Sequence, residues 1–436
     1  MANERNIAVI DLKAFYSFVE CLDRGLDPFK TALVVADISR SPNTIVLSVS
    51  PYLKAKGIPS RCRVKELPKT HKYIYATPRM ARYIEMSSKV VSIILSFVAF
   101  EDIHVYSIDE AFIDMTSYLP YYKKTPVEFV EMIINKINEE TGLTATGGIG
   151  DNFFLAKVAL DVFAKKEKNG IATLRQNEIK ERMWPITPLT KIWGIGAALE
   201  RRLNALGIYT MGDLATSDKD FIISKFGIMG EQMHNHANGI DEADVHEVYI
   251  PKEHSLNIGQ VLPKDYNSIE IITIIREMID DLSFRMREEG KLTNVVSLYI
   301  GYSIEGGFAR QMSLLTATDN AEDLLKACLE IFKKHIDETR AIRRVGIGFG
   351  KLEDDAYRQL NLFEEGDEQV KVQDMQKAID ALHKKYGKNS VLRASALLEG
   401  STAIERHNQI GGHRKWAIAE WKNGLLIKLL LNNILV

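Results

Sequence analysis

The sequence predicts an α+β multidomain chain, and three observations carry that prediction. Its 436 residues amount to roughly three or four domains. Short apolar strands alternate with amphipathic helices over residues 7–185, interrupted by one module of different texture. Residues 252–350 then read as strand, helix, two strands, helix, strand, the split βαβ order.

The first strand, Ile7-Ala8-Val9-Ile10, ends at Asp11. A helical pattern starts at once, with Phe15, Phe18, Val19 and Leu22 near 3.6-residue spacing. Thr31–Thr70 carries two β-like runs (Ala32–Val35, Thr44–Val49) and scattered Pro and Lys, and reads as an inserted module. Met80–Phe97 reads as a helix. His104–Ile108 and Ala111–Met115 read as two strands meeting near Asp109-Glu110. A helix over Pro126–Thr141, a strand over Thr144–Gly148 and a helix over Phe153–Phe163 follow. Together they suggest one sheet with helices on a face. Pro185–Pro188 marks a boundary. Residues 189–240 read as all-helical, with the loop Trp193-Gly194-Ile195-Gly196 leading into Ala197–Leu206. Ile250-Pro251 marks the next boundary.

Within 252–350 the strands are Asn257–Leu262, Asn294–Tyr302, Phe308–Leu314 and Arg343–Phe349, which alternates. The helices are Ile271–Met286, with Ile271, Ile275, Met278 and Leu282 on one stripe, and Ala321–Ile336, with Leu324, Leu325, Cys328 and Phe332. After Lys351 the chain turns polar and reads as a linker enclosing an apolar patch, Leu360–Phe363.

Hydrophobic residues make up 46 % and charged residues 26 %, which excludes a collagen, a mostly disordered chain and a polytopic membrane protein. Net charge is −2, so a nucleic-acid partner would require basic side chains segregated onto one face. Cys21, Cys62 and Cys328 have neither metal-ligand nor disulfide spacing, as in a reducing cytoplasm. Met1–Asn6 is polar, without a signal-peptide core behind it. The apolar run Leu425–Val436 is interrupted by Lys428, Asn432 and Asn433. It is too short for the roughly 30 Å of a bilayer core and reads as a docked helix or a non-native extension.

Asp11 lies where α/β folds place ligands, at a strand end before a helix whose free N–H groups suit phosphate. Alone, such an Asp is more often a helix cap. Asp109-Glu110 is sharper: at a bend both carboxylates can reach one sheet edge, and their buried flanks (Val105, Ile108, Ala111, Phe112, Ile113) make an unbound acidic pair costly. Mg²⁺ takes one or two carboxylates plus substrate phosphates. Asp11, Asp109 and Glu110 together therefore form a candidate two-metal site for phosphoryl displacement.

Ala8-Val9-Ile10-Asp11-Leu12-Lys13-Ala14-Phe15-Tyr16-Ser17-Phe18-Val19-Glu20 resembles the first motif of the Y-family, lesion-bypass DNA polymerases. Ser107-Ile108-Asp109-Glu110-Ala111-Phe112-Ile113-Asp114 resembles their second motif, and Gly148-Ile149-Gly150-Asp151-Asn152-Phe153-Phe154-Leu155-Ala156-Lys157 a third. The resemblance covers about residues 7–350 and is closest to the bacterial UmuC-like branch, on account of the long C-terminal extension. It implies a right-hand polymerase: a ferredoxin-like palm (1–23 and 76–185), small fingers (24–75), a helical thumb with a helix-hairpin-helix (186–245) and a split-βαβ little finger (252–350). A linker with a clamp-binding peptide and a C-terminal extension would occupy 351–436.

By the same resemblance, Asp11, Asp109, Glu110 and the carbonyl of Leu12 hold two Mg²⁺ ions. Tyr16 is a steric gate under the sugar, with Phe15 beside it. Ser48, Lys54 and Lys157 contact the triphosphate. Pro51 stands where many members have Tyr, and Phe153 where many have Lys. Gly194 and Gly196 resemble a helix-hairpin-helix turn that grips DNA phosphates. Arg340, Arg343 and Arg344 are candidates for the little finger's DNA face. Gln359-Leu360-Asn361-Leu362-Phe363 resembles a sliding-clamp peptide, with Gln359, Leu360, Leu362 and Phe363 as its contacts, tethering the enzyme by effective concentration. Gly400–Lys415 resembles the extension of UmuC-like members, where UmuD-like or recombinase-filament contact is expected.

The implied activity is template-directed transfer of a dNTP to a primer 3′-hydroxyl in translesion synthesis, with low fidelity, no proofreading and no membrane partner. The alternatives are a nucleotidyl cyclase-like enzyme on a related palm and a non-catalytic DNA- and clamp-binding protein on the same fold.

Overall fold

The computed structural model describes residues 5–247, 254–355 and 366–414. These fall into two compact units, one within 1–248 and one within 249–415. The expected clamp peptide and the apolar run 425–436 lie outside the described residues.

In the first unit, β1 (Ile7–Leu12) leads into α1 (Phe15–Asp23). The inserted module contains β2 (Leu33–Val35), β3 (Ser48–Val49), α2 (Pro51–Ala55) and β4 (Ile74–Ala76). Its small sheet runs β3-β2-β4 over a core of Val34, Val46, Val49, Leu53 and Ile58. Then come α3 (Met80–Ile94), β5 (Ile103–Val105), β6 (Glu110–Asp114), α4 (Tyr118–Tyr122), α5 (Pro126–Thr141), β7 (Ala145–Gly150), α6 (Phe153–Val158) and β8 (Ile171–Leu174). The main sheet has the order β5-β6-β1-β7-β8. Of the two strands expected around Asp109, the first is shorter than predicted and the second is shifted one residue earlier, to begin at Glu110. Residues 106–109 form a bend, because Tyr106 and Ser107 both donate their N–H to the Glu110 carbonyl.

The sequence suggested helices on one face, but the sheet carries them on both. A Cβ on Gly147 would meet Val130 of α5, whereas one on its neighbour Gly148 would meet Leu160 just beyond α6. Adjacent strand residues point to opposite faces, so α5 and α6 flank the sheet. Thr125 caps α5 in a capping box with Glu128, as the sequence pattern favours. The expected helix 153–163 is regular only to Val158; a π turn occupies Ala159–Phe163. The remainder of this unit is helical: α7 (Ala197–Asn204), α8 (Met211–Thr216), α9 (Lys219–Phe226) and α10 (Ile228–Ala237), around Leu203, Met211, Leu214 and Ile222.

The second unit has β9 (Leu256–Tyr266), α11 (Glu270–Glu288), β10 (Lys291–Tyr302), β11 (Gly307–Thr318), α12 (Ala321–His335) and β12 (Ile342–Gly350), the expected βαββαβ order. Its sheet runs β11-β10-β12-β9, and β13 (Glu353–Asp354) adds to β10. The apolar stripes of α11 and α12 pack on the sheet with Leu298, Ile300, Val345 and Phe349.

Beyond the linker, the described part of the extension is folded. It comprises α13 (Gly366–Tyr386), α14 (Ala403–His407) and a small hairpin, β14 (Gln409–Ile410) with β15 (His413–Arg414). It seats on α11: Arg287 pairs with Asp380, Arg393 with Asp280 and Arg406 with Asp281. No described helix is long and apolar enough to cross a membrane.

Candidate active site

Strand alternation sets the site's side. Ile7 and Val9 pack with Phe112, Ala156 and Leu160, so the odd-numbered residues of β1 face α6. Asp11 is the next in that series. Its register partner on β6 is Glu110, as Val9's is Phe112, so both carboxylates project on the α6 side at one sheet edge. The Leu12 N–H donates to the Asp109 carbonyl at 2.9 Å, fixing the bend that carries Asp109 against the end of β1.

Two glycines bring α6 unusually close. A Cβ on Gly148 would lie 2.2 Å from the Ala156 carbonyl, and one on Gly150 2.4 Å from the Ala156 nitrogen; only glycine permits that approach. Lys157 is thereby pressed against the carboxylates, with Nζ 2.6 Å from Glu110 Oε1 and 3.4 Å from Asp161. The sequence reading assigned Lys157 to the triphosphate, whereas here it is buried and engaged with the acidic edge.

Burial, then the charges of Asp109 and Glu110, push the Asp11 carboxyl up to about 7. Burial likewise raises Glu110, against the opposing pull of Lys157. Burial alone would lower Lys157, but Glu110 outweighs it and holds the ammonium up. Glu110 Oε1 is buried, and its contact with Lys157 is a close ion pair rather than an aligned hydrogen bond. Among the described residues, no three acidic, His or Cys side chains converge at metal-binding distances. Like charges repel, and Lys157 takes up part of the space between them. The donor set nevertheless fits a hard divalent cation: oxygen ligands, an under-satisfied buried oxygen and carboxyls whose protonation burial favours until a cation relieves it.

Tyr16 stands one helical turn beyond this edge. Its ring lies 4.8 Å from Tyr83 and 5.6 Å from Phe15. Burial, with Asp109's charge, pushes its phenol up to about 12. Tyr83 is itself anchored: its hydroxyl donates to the buried Glu20 at 2.7 Å, and Arg79 holds the same carboxylate at 2.9 Å. Phe15 is buried in the core behind Tyr16. Ser48 is also turned inward, 3.0 Å from the Ser17 hydroxyl and 3.4 Å from the Ala14 carbonyl. Lys54 is lowered by burial, though Asp11 and Asp109 act to raise it; the charges of Lys165 and Arg61 push it further down.

Three groups at this site escaped the sequence reading. Asp161 adds a carboxylate one turn after Lys157. Lys165, just beyond the π turn, and Arg61, in the inserted module, add cations near Lys54. The Lys157–Asp161 spacing of four was the one available signal; the other two depend on tertiary placement.

The remaining candidates lie elsewhere. Gly194, with φ +88°, and Gly196, the N-cap of α7, leave their backbone open, with nothing within 4 Å of an added Cβ. In the second unit, Arg340 stacks on Tyr302 at 4.0 Å and donates to the Glu305 carbonyl, and Arg343 pairs with Asp265 at 3.3 Å. Arg344 is exposed on β12. The sheet also bears a hollow of about 470 Å³, whose lining includes Asn257, Ser297, Tyr299, Arg310 and Gly346.

Known proteins resemble this chain throughout. A model of the impB/mucB/samB family matches residues 10–161, a model of that family's C-terminal domain residues 253–362, and an IMS family HHH motif residues 176–208. The chain is 35 % identical to the putative UV-damage repair protein UvrX of Bacillus subtilis (strain 168), over 94 % of this chain and 98 % of that protein. It is 32 % identical to DNA polymerase IV 2 of the same organism, over 95 % and 100 %. Among solved structures, a Y-family DNA polymerase chimera, Dbh-Dpo4(243-245)-Dbh, matches with a TM-score of 0.64 at 19 % identity, over 80 % of this chain and 99 % of that one.

Proposed function

Because the chain belongs to the impB/mucB/samB family, the Y-family DNA polymerases, we propose that its sheet edge joins a dNTP to a primer 3′-hydroxyl as the template directs. The protein is a translesion DNA polymerase. The observation that carries the site assignment is the register Asp11↔Glu110, with the under-satisfied Glu110 oxygen facing Lys157.

In this reading residues 1–23 and 76–185 are the palm, 24–75 the fingers, 186–245 the thumb and 252–350 the little finger. Asp11, Asp109, Glu110 and the Leu12 carbonyl would hold two Mg²⁺ ions, which supply Lewis-acid activation of the hydroxyl and neutralise the triphosphate's charge. Tyr16, braced by Phe15 and Tyr83, forms the floor under the deoxyribose and excludes a 2′-hydroxyl. Lys54 and Lys165 bind the triphosphate as point charges. Lys157 orients Glu110, and Ser48 ties the fingers to α1. Catalysis is then positioning and charge stabilisation. In this reading the enzyme copies with low fidelity and does not proofread.

The uncrowded backbone at Gly194 and Gly196 suits close approach by duplex phosphates. On the little finger, Arg344 and the hollow with Tyr299 and Arg310 suit the backbone better than Arg340 and Arg343, whose guanidinium groups are already engaged. Gln359, Leu360, Leu362 and Phe363 would bind a sliding clamp. The extension would meet UmuD-like or recombinase-filament partners in the cytoplasm.

Extension of a primed template with Mg²⁺ tests the reading. Wild type should extend the primer and Asp109→Ala should not, by about 10³-fold or more. Equal extension by both, or extension without template, overturns it.

A further inference from the structure

We propose that the inserted module carries a site for single-stranded DNA, separate from the acidic edge, in which bases stack on a row of rings at His71, Tyr73 and Tyr75. The first observation is charge. The chain has a net charge of −2, yet residues 61–75 hold five Lys or Arg (Arg61, Arg63, Lys65, Lys69 and Lys72) against one acid, Glu66. All five are exposed. This is the segregation of basic side chains that a nucleic-acid partner demands of a nearly neutral protein. Backbone bonds fix the start of the stretch to the module's core. The Arg61 N–H donates to the Val46 carbonyl at 3.0 Å, and the Val46 N–H donates to the Cys62 carbonyl at 2.8 Å. Val46 is fully buried.

The second observation is the row of rings. In the order β3-β2-β4, β4 is an edge strand. Tyr73 stands just before it and Tyr75 within it, so the two share a face, with ring centroids 6.0 Å apart. His71 continues the row, tilted only 26° from Tyr73 at 6.0 Å. The Tyr73 hydroxyl donates to the Pro68 carbonyl at 2.7 Å, and the Thr70 hydroxyl engages the His71 ring at 3.0 Å. Both rings are therefore set before a ligand arrives, which lowers the cost of binding. Tyr75 is 37 % exposed and its neighbour Ile74 43 %. An edge strand left open with such side chains is a liability unless something covers it.

Rings and cations together select the ligand. Bases stack on aromatic rings whatever the sequence, while lysines follow the phosphates. Stacked bases in a duplex rise by about 3.4 Å, too closely to share rings 6.0 Å apart. An extended single strand with its bases splayed fits the row. The unpaired template of a DNA polymerase is such a strand.

Fluorescence anisotropy with the full chain and a labelled oligo(dT) of about 16 nucleotides, without Mg²⁺ or dNTP, tests the proposal. Tyr75→Ala should weaken binding roughly tenfold, and Tyr75→Phe, which keeps the ring, by less than about twofold. Removing two phosphate contacts in the Lys69→Ala, Lys72→Ala double variant should lower the slope of log K against log salt by about 1.4. Tyr75→Ala should bind a blunt duplex of the same length as wild type does, and should unfold within about 4 °C of wild type. Unchanged oligo(dT) affinity in Tyr75→Ala overturns the proposal, as does wild type that does not bind oligo(dT). An equal loss on duplex marks a general electrostatic surface and also overturns it. So does a loss in Tyr75→Phe as large as in Tyr75→Ala. If Tyr75→Ala unfolds, the exposed lysine pair decides, and an unchanged salt slope defeats the site. None of these readings needs catalysis, so they stand or fall apart from the acidic edge, which Asp109→Ala tests.

Discussion

The acidic sheet edge at Asp11 and Glu110 and the acidic side of α11 both shield carboxylates from water, with opposite outcomes. At the edge, Asp11 is driven up to about 7 and a Glu110 oxygen lacks an aligned donor. On α11, Asp281 is held well below the usual carboxylate range although burial alone would raise it, because His407, Arg406 and Lys388 surround it. Neighbouring Glu277 accepts from Ser401 at 2.6 Å and from the Thr402 N–H at 3.1 Å. One cluster is crowded by its own like charges; the other is held by cations from the chain's own extension. Both clusters are shielded from water, so the partner set is what separates a carboxyl pushed up from one held down.

The contrast is most easily broken at Arg406, only 13 % exposed. Arg406→Ala should leave Asp281 and Glu277 buried without their main cation and cost about 3 kcal/mol. Hydrogen exchange should then show residues 371–414 and α11 losing protection together. If α11 keeps its protection, the extension is a loosely held tail. The acidic edge at Asp11 and Glu110 should respond in the other direction. Asp11→Asn removes a like charge, so in EDTA it should stabilise the first unit by about 1–2 kcal/mol after solvent screening, a rise of a few degrees in unfolding temperature. Mg²⁺ should stabilise wild type and not the variant. A variant less stable than wild type in EDTA would mean the edge is not strained by its own charge.

The acidic edge was legible because its geometry is local. Strand period 2 and one bend set Asp11 opposite Glu110 with Asp109 against the end of β1, though not at metal-binding distances, and Tyr16 follows at the start of α1. The βαββαβ unit was legible for the same reason, through the stripes of α11 and α12. Lys165 was not, because the π turn at Ala159–Phe163 inserts a residue that sequence periodicity does not register. Motif spacing does not reveal how closely Gly148 and Gly150 let α6 approach, which is what sets Lys157 against Glu110. Arg61 owes its place to long-range backbone bonds. The extension's seat was hidden most deeply. The sequence reading gave Glu277, Asp280 and Asp281 no role, because the cations that cover them lie far along the chain, at Lys388, Arg393, Arg406 and His407.

That seat also makes the smallest of these effects the most discriminating. A carboxyl whose pKa is lower in the folded protein than in the unfolded chain contributes stability above its unfolded value, near 4. The contribution is lost as pH falls through the range between the two values. Asp281 is such a group, so the hold of residues 371–414 on α11 should be constant from neutrality to about pH 5 and weaken by about 1 kcal/mol or more on approaching pH 3. Protection factors for α11 should decline only over that interval. In Arg406→Ala much of the depression is gone, so the decline should be shallower even though the starting level is lower. A variant that keeps the full acid sensitivity of wild type would show that Asp281 is held down by His407 and Lys388 rather than by Arg406. The cover over α11 would then depend on those two cations instead.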